Sequence, residues 1–395
     1  MNFNLTEEQW AVKQAAREFA QKELKPGVIE RDSNMTFPKE QIQMMGDLGF
    51  LGMMVSPEYG GGGMDTLSYV LAMEELSKVD NSSSVIMSVN NSLVCWGIET
   101  FGTEEQKQKY LPKLTSGEWI GSFCLSEPEA GSDATMQRTT AIDMGDHYLL
   151  NGTKNWITNG NSSSVHLVIA QTDAEAGHRG INVLIVERSW DGVSIGAKED
   201  KLGIRSSDTH TIMYNDVKVP KENRIGDHGF GFKFAMKTLS GGRIGIAAQA
   251  LGIAAGAYEL AVQYSKEREA FGKAISRHQA IAFKLASMAT DIEAARLMVY
   301  RSAWMKDAGL NYDAASSMAK LYASEVAMKH TVEAVQVHGG YGFVKEYHVE
   351  RLMRDAKITQ IYEGTSEVQR IVISRNVLKG QLELPIYQEG LLEMA

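Results

Sequence analysis

The chain has 395 residues, and 40 Lys+Arg against 49 Asp+Glu give a net charge of −9. That length predicts two or three domains, and 44% hydrophobic with 23% charged residues describes a globular chain able to bury a sizeable core. The acidic balance argues against a nucleic-acid binder, which carries a basic surplus or stripe. Two cysteines, Cys95 and Cys124, exclude a disulfide framework and a cysteine-based zinc site.

The opening MNFNLTEEQWAVKQ is acidic with no apolar run, so it reads as neither a signal nor a transit peptide, and a cytoplasmic location is expected. Residues 1–120 read as a helical domain. Thr6 and Gln9 form a predicted capping box, and Gly60–Gly63 predicts a loop that no helix crosses. Helical text resumes at SYVLAMEELSKV and TEEQKQKYLPKL. Residues 121–230 change to short β-type runs bounded by turns. Tyr148-Leu149-Leu150 runs into Asn151-Gly152, a hairpin dipeptide, and Asn155-Trp156-Ile157-Thr158 runs into Asn159-Gly160. HLVIAQT, INVLIVE and HTIMYNDVKV continue the series, and strands without intervening helices predict an antiparallel sheet or barrel.

Residues 231–395 return to helix. Ile244, Ala248, Leu251, Ala255, Tyr258 and Val262 advance by threes and fours, as do Ile281, Leu285, Met288, Ile292, Ala295 and Val299, which is the spacing of an antiparallel bundle. Gly339-Gly340 ends a third helix, and Thr365 or Ser366 caps a last one beginning near Glu367. The 19 residues from Ile244 to Val262 approach membrane-spanning length, but Ala and Gly dominate them and supply little transfer free energy, so a buried helix and no membrane span is expected. The 20 methionines are read as core filling. The expected fold class is α+β multidomain: an N-terminal helical domain, a middle antiparallel β-barrel domain and a C-terminal four-helix-bundle-type domain.

Three segments carry unusual chemistry. FCLSEPEAGSD (123–133) offers backbone N–H groups and Ser hydroxyls in a loop, suited to the polar edge of a ring or to a phosphate. REAFGK (268–273), followed by His278-Gln279, sets Arg and an aromatic beside a Gly turn, and Arg suits bidentate phosphate contacts. RDAKITQIYEGTSE (354–367) places Glu363 between apolar Ile361-Tyr362 and a Gly, where its pKa would rise towards that of a base working near neutral pH. Each segment alone fits a plain polar connection better. No GxGxxG follows a predicted strand, and no metal site is expected.

Together, however, FCLSEPEAGSDA, NGTKNWITNG, KLGIRSSDTHTI, NDVKVP, GGRIGIAAQALGIA, EREAFGK, HQAIAFKLA, QVHGGYGF and RDAKITQIYEGTSEVQR resemble the acyl-CoA dehydrogenase family over essentially the whole chain. GGRIGIAAQALGIA and IYEGTSE look most like the short-chain, butyryl-type branch. The family's architecture is the same three-part order.

The resemblance implies FAD-dependent conversion of an acyl-CoA thioester to a trans-2-enoyl-CoA. It places the base that takes the Cα proton at Glu363, with the Glu363 N–H and a flavin ribityl hydroxyl holding the thioester oxygen while a hydride leaves Cβ for flavin N5. Relatives that carry their base on the bundle helix place it where this chain has Gly242, which concentrates the assignment on Glu363. Phe123, Leu125, Ser126, Gly131 and Ser132 match positions along the flavin; Trp156, Ile157 and Thr158 match positions on its other side. Arg268, Phe271, Gln279, Gln336, Gly339 and Gly340 match positions at the pyrophosphate and adenosine, in part across a subunit interface, and Thr365 and Glu367 match further FAD contacts. Substrate positions fall on Ser132, Leu239, Ser240, Arg243 and Gly364. A homotetramer built as a dimer of dimers and electron-transferring flavoprotein as acceptor are implied. An acyl-CoA oxidase or a branched-chain dehydrogenase on the same scaffold is the alternative. Gln249 and Thr359 are polar residues expected near the pocket floor, and Gln249 equally fits a purely structural helix contact.

Overall fold

The computed structural model describes residues 4–380. The chain opens with helices α1 Glu7–Phe19, α2 Val28–Asn34, α3 Lys39–Asp47, α4 Thr66–Ser77, α5 Asn81–Ser88, α6 Trp96–Phe101 and α7 Glu104–Thr115. The expected capping box starts α1: the Gln9 N–H donates to Thr6 Oγ1 at 3.2 Å, and the Thr6 N–H donates to Gln9 Oε1 at 3.0 Å. Thr103 and Gln106 repeat the device at α7. The glycine-rich stretch 60–63 lies, as expected, in the connection between α3 and α4.

Strands follow: β1 Gly121–Cys124, β2 Thr140–Asp143, β3 His147–Thr158, β4 Val165–Gln171, β5 Ile181–Glu187, β6 Val193–Lys198, β7 Thr209–Pro220 and β8 Arg224–Ile225. They form one sheet in the order β6-β7-β3-β2-β4-β5-β8, with β1 beside β4. Residues alternate along β4: Leu167 and Ile169 face the helices, while Val168 and Ala170 face a second core shared with Leu150, Ile212, Tyr214 and Val217. The sheet thus curls round its own core and turns its other face to helical neighbours.

Two expectations about this sheet need correction. Asn151-Gly152 makes no hairpin; β3 runs through it, and the register against β7 shifts between Leu150 and Gly152. Gly152 sits at φ 148°, and a Cβ there would come within 2.7 Å of Thr139 Cα. Asn151 pairs instead with Asp216 across the sheet, donating to Oδ1 at 3.0 Å and accepting from the Asp216 N–H at 2.8 Å. The turn-forming dipeptide is used as a bulge. The sheet is also mixed rather than antiparallel, since β1 and β2 both pair parallel with β4. Hydrophobic alternation records which face a residue takes, and it is blind to strand direction.

The remaining elements are α8 Gly231–Glu267, a small hairpin of β9 Glu269–Ala270 and β10 Lys273–Ala274, then α9 Gln279–Asp307, α10 Asp313–His338, α11 His348–Ala356 and α12 Ser366–Leu378. Ile244, Ala248, Leu251 and Ala255 are buried as the spacing predicts, but so is every residue from 240 to 257. Among the described residues α8 alone is long and apolar enough to cross a membrane, and 83% of its most apolar window is buried inside the protein. It is the central core helix. Met45, Met53, Met73, Met87 and Met288 fill the core around it.

All three domains meet at Asp355 on α11. Its carboxylate accepts from Asn81 Nδ2 at 3.0 Å, the Ile204 N–H at 2.6 Å and Arg351 Nη1 at 3.3 Å. Arg354 beside it reaches Asp32 Oδ2 at 2.8 Å and the Leu202 carbonyl at 3.1 Å. This junction lies eight residues upstream of Glu363 and fixes where the following loop begins.

Candidate active site

After α11 a short 3₁₀ turn, Lys357–Gln360, leads into Ile361-Tyr362-Glu363-Gly364. Thr365 then caps α12, its Oγ1 accepting from the Val368 N–H at 3.3 Å. Glu363 at φ 51° and Gly364 at φ 93° are both left-handed, and together they reverse the chain. Position 364 requires glycine twice over: the φ disfavours a side chain, and a Cβ would lie 2.6 Å from Gln369 Nε2. The reversal drives the Glu363 side chain inward against α8, where a Cβ at Gly242 would overlap its Oε2. Gly242 therefore makes the space that the carboxylate occupies.

The carboxylate is enclosed, and its Oε2 has no hydrogen-bond partner among the described residues. Burial pushes its pKa up to about 7, against the opposing pull of the Lys320 and Arg243 charges. The Glu363 backbone N–H likewise donates to no acceptor among the described residues. Arg243 is buried on the same helix as Gly242; its Nη1 makes one long contact to Ser317 Oγ at 3.4 Å and its Nε makes none. Tyr362 donates its hydroxyl to Gln249 Oε1, and Gln249 donates to the Asn81 carbonyl at 3.0 Å and to Ser84 Oγ at 3.2 Å. Gln249 is thus a buried helix contact that also locks the neighbour of Glu363. Thr359 Oγ1 bonds back to the Ala356 carbonyl at 2.7 Å.

Phe123, Leu125, Leu239 and Tyr362 all belong to the apolar cluster between the sheet and the helices, so β1, the start of the loop after it, α8 and the residue before Glu363 are built on one core. The Asn155 N–H donates to the Ser126 carbonyl at 2.9 Å, and Ser122 Oγ donates to the Thr158 carbonyl at 3.0 Å, which brings the end of β3 to the same place. Trp156 stands there at φ 61°, 61% exposed, while the Ile157 side chain points into the barrel core and leaves only its backbone to the site. Gly131 and Ser132 are exposed, and Ser240 lies buried on α8.

Arg268, Phe271, Gln279, Gln336, Gly339 and Gly340 form a second exposed group, at the far end of α8. Arg268 stacks over Tyr341 at 5.6 Å. Phe271 and Gly272, both at positive φ, make the two-residue turn between β9 and β10. From Gly242 to Arg268, the residue that caps the end of α8, the 26 steps span about 39 Å at 1.5 Å each. Within one chain this group does not join the Glu363 site. Thr365 follows the Glu363–Gly364 reversal directly, at the N-terminus of α12, and Glu367 is held below the usual carboxylate range by the backbone N–H and the Thr365 hydroxyl of that first turn.

Sequence reasoning overlooked four side chains. Lys154 is wholly buried, and its ammonium donates to the Leu125 carbonyl at 3.1 Å, Glu127 Oε1 at 2.7 Å and Gln137 Oε1 at 3.4 Å. Glu127 in turn accepts from the Arg138 N–H at 2.6 Å and the Thr139 N–H at 3.1 Å, which fixes both ends of the loop after β1. Lys320 on α10 and Gln369 on α12 both donate to the Gly364 carbonyl, at 2.5 Å and 2.8 Å. Lys320 left a legible signal, a lone cation on the Ala319–Ala323–Ala327 face of α10.

The residues present fit a flavin. An exposed Trp at positive φ follows Asn155, which is bonded to the loop after β1, a carboxyl oxygen is left unpartnered, and Gly131, Gly339 and Gly340 stand where an added Cβ would meet nothing within 4 Å. Residues 6–118, 122–217 and 229–378 match, in turn, the N-terminal, middle and C-terminal domains of acyl-CoA dehydrogenase. The short-chain specific acyl-CoA dehydrogenase of Clostridium acetobutylicum is 52% identical over 379 residues, covering 96% of this chain and 100% of the relative. Butyryl-CoA dehydrogenase from Megasphaera elsdenii superposes with a TM-score of 0.94 at 48% identity, covering 96% and 100%. A chain solved in work on the electron transferring flavoprotein of Acidaminococcus fermentans and flavin-based electron bifurcation gives a TM-score of 0.95 at 53% identity, with the same coverage. This chain therefore belongs to the acyl-CoA dehydrogenase family of FAD-dependent oxidoreductases, and it is similar to the short-chain members over nearly its whole length.

Proposed function

We propose that this enzyme dehydrogenates short straight-chain acyl-CoA thioesters between Cα and Cβ, that Glu363 takes the Cα proton, and that the electrons pass to electron-transferring flavoprotein. The observation carrying the assignment is the buried Glu363 carboxylate with a free Oε2 and a pKa raised to about 7. A thioester Cα–H is a very weak acid, so the site must both desolvate its base and stabilise charge on the thioester oxygen. The unengaged Glu363 N–H is suited to that oxygen, and Arg243 supplies a buried positive charge nearby. Bound FAD supplies the two-electron acceptor for the hydride leaving Cβ. Phe123, Leu125, Ser126, Gly131, Ser132, Trp156, Thr158, Thr365 and Glu367 would hold it, with the Ile157 backbone, and Ser132, Leu239, Ser240, Arg243 and Gly364 would hold the substrate. The kinship with the Acidaminococcus chain supports the choice of acceptor.

Anaerobic titration of the flavin absorbance with a ladder of acyl-CoAs tests this reading. Bleaching is expected to be strongest with butyryl-CoA, and on admitting air the reduced flavin should generate little hydrogen peroxide. Bleaching that favours long or branched chains, or rapid peroxide formation, would replace the short-chain dehydrogenase reading.

Arg268, Phe271, Gln279, Gln336, Gly339 and Gly340 would complete the cofactor site of a neighbouring subunit, since they lie too far along α8 to serve their own Glu363. Phe271, Phe343 and Leu378 are 95%, 85% and 86% exposed, which fits a homotetramer that covers them. Arg268→Ala is accordingly expected to lower FAD retention on gel filtration while leaving turnover at saturating FAD near normal. Unchanged retention would remove Arg268 from the cofactor site.

A further inference from the structure

Lys320 has no part in the assignments above, yet its ammonium lies inside the protein one residue from the base. The side chain is wholly buried on α10, and its Nζ donates to the Gly364 carbonyl at 2.5 Å. Gln369 Nε2 supports the same carbonyl at 2.8 Å and approaches the Glu363 carbonyl at 3.4 Å. The reversal at 363–364 is thus pinned from two helices. A buried ammonium is costly, and an amide could make the same hydrogen bond without that cost. The positive charge itself therefore requires a reason, and the nearby buried carboxylate provides one.

Resting on the assignment of Glu363 as the base, we propose that Lys320 is its positioning residue: the ammonium fixes the Glu363–Gly364 reversal and places a positive charge that keeps the carboxylate ionised near neutral pH. Lys320 is the stronger of two cations favouring ionised Glu363; Arg243 on α8 is the other. Burial lowers Lys320 itself to about 8, so it is charged through the neutral range in which Glu363 titrates. Tyr69 on α4 and Tyr362 also face this carboxylate, and burial moves both upward, away from neutrality. Glu367 at the start of α12 acts on Lys320 and helps keep it charged. Arg243 stays protonated throughout.

The test uses FAD-bound enzyme and two readouts across pH. One is the second-order rate constant for anaerobic flavin bleaching by butyryl-CoA, which reports the base in the free enzyme. The other is the protonated-carboxyl band of Glu363 in pH-difference infrared spectra, identified by its absence from Glu363→Gln, which follows the same group without turnover. Lys320→Gln keeps a donor for Gly364 and removes the charge, so both midpoints are expected to move up from about 7 by roughly one unit or more. Lys320→Met, measured in the same way, should show that shift and also a lower rate on the high-pH plateau, because the pin is lost as well. A folded, FAD-bound variant of either kind with both midpoints unmoved would overturn the proposal. Glu363→Gln that bleached normally would remove the base assignment instead, so the two failures are distinct.

Discussion

Glu363→Gln is expected to slow anaerobic bleaching of the flavin by butyryl-CoA by roughly two to four orders of magnitude, the usual worth of a general base. The amide keeps the size of the side chain and cannot accept the Cα proton. Bleaching within a few-fold of the parent enzyme would remove Glu363 from its role. The same substitution should change stability in the opposite direction. In the native state burial holds the carboxyl protonated up to about 7, against an ordinary value of 4.5. Below 4.5 both native and unfolded chains are protonated and the site costs nothing. Between those values the unfolded chain ionises first and native stability falls; above 7 the full penalty, about 3 kcal/mol, applies. An uncharged amide escapes it, less what its own unpaired polar group costs. The thermal midpoint of Glu363→Gln should therefore exceed that of the parent at pH 8, with the difference shrinking as pH falls towards 5. A difference that did not vary with pH would mean the carboxylate is solvated.

Asp355→Ala is expected to lower the thermal midpoint by on the order of 5–10 °C. Three donors from three places, Asn81 Nδ2, the Ile204 N–H and Arg351 Nη1, would lose their acceptor inside the protein. Stranding buried partners in this way costs about 3–5 kcal/mol. Burial raises the pKa of Asp355, but the Arg351 charge and two neutral donors favour its ionised form, so Asp355→Asn keeps some of the hydrogen bonding and should fall between the alanine variant and the parent. Because α11 leads directly into the Glu363 reversal, the alanine variant should also lose FAD at lower temperature than the parent. A midpoint unchanged by either substitution would show that the domains are held together elsewhere.

The two predictions describe one design. A carboxylate working near neutral pH must be kept out of water, which is destabilising, and the loop that carries it must not relax towards solvent. Asp355 anchors the start of that loop, while Lys320 and Gln369 pin its reversal. Gly242 leaves the hole that it fills.

Much of this was determined by sequence alone. Composition excluded whole classes of protein, the change from helical to alternating spacing near residues 121 and 231 marked the three-part order, and the local text around Glu363, Thr365 and Gly242 carried the family's chemistry. These signals are local, since spacing and capping act over a few residues. What only the tertiary structure decided is long-range. Asn151-Gly152 has hairpin chemistry, but pairing with Asp216, 65 residues away, turned it into a bulge. The direction of β1 and β2 against β4 depends on the path of the chain, which alternation does not record. Lys154 reads as an ordinary solvated lysine, and Lys320 as no more than a cation on an alanine face, until packing removes the water around them and supplies Glu127 to one and the Gly364 carbonyl to the other. A residue's charge is written in its own letter, but the solvent and partners that set its energy are contributed by residues dozens to hundreds of positions away, and these come together only when the chain folds.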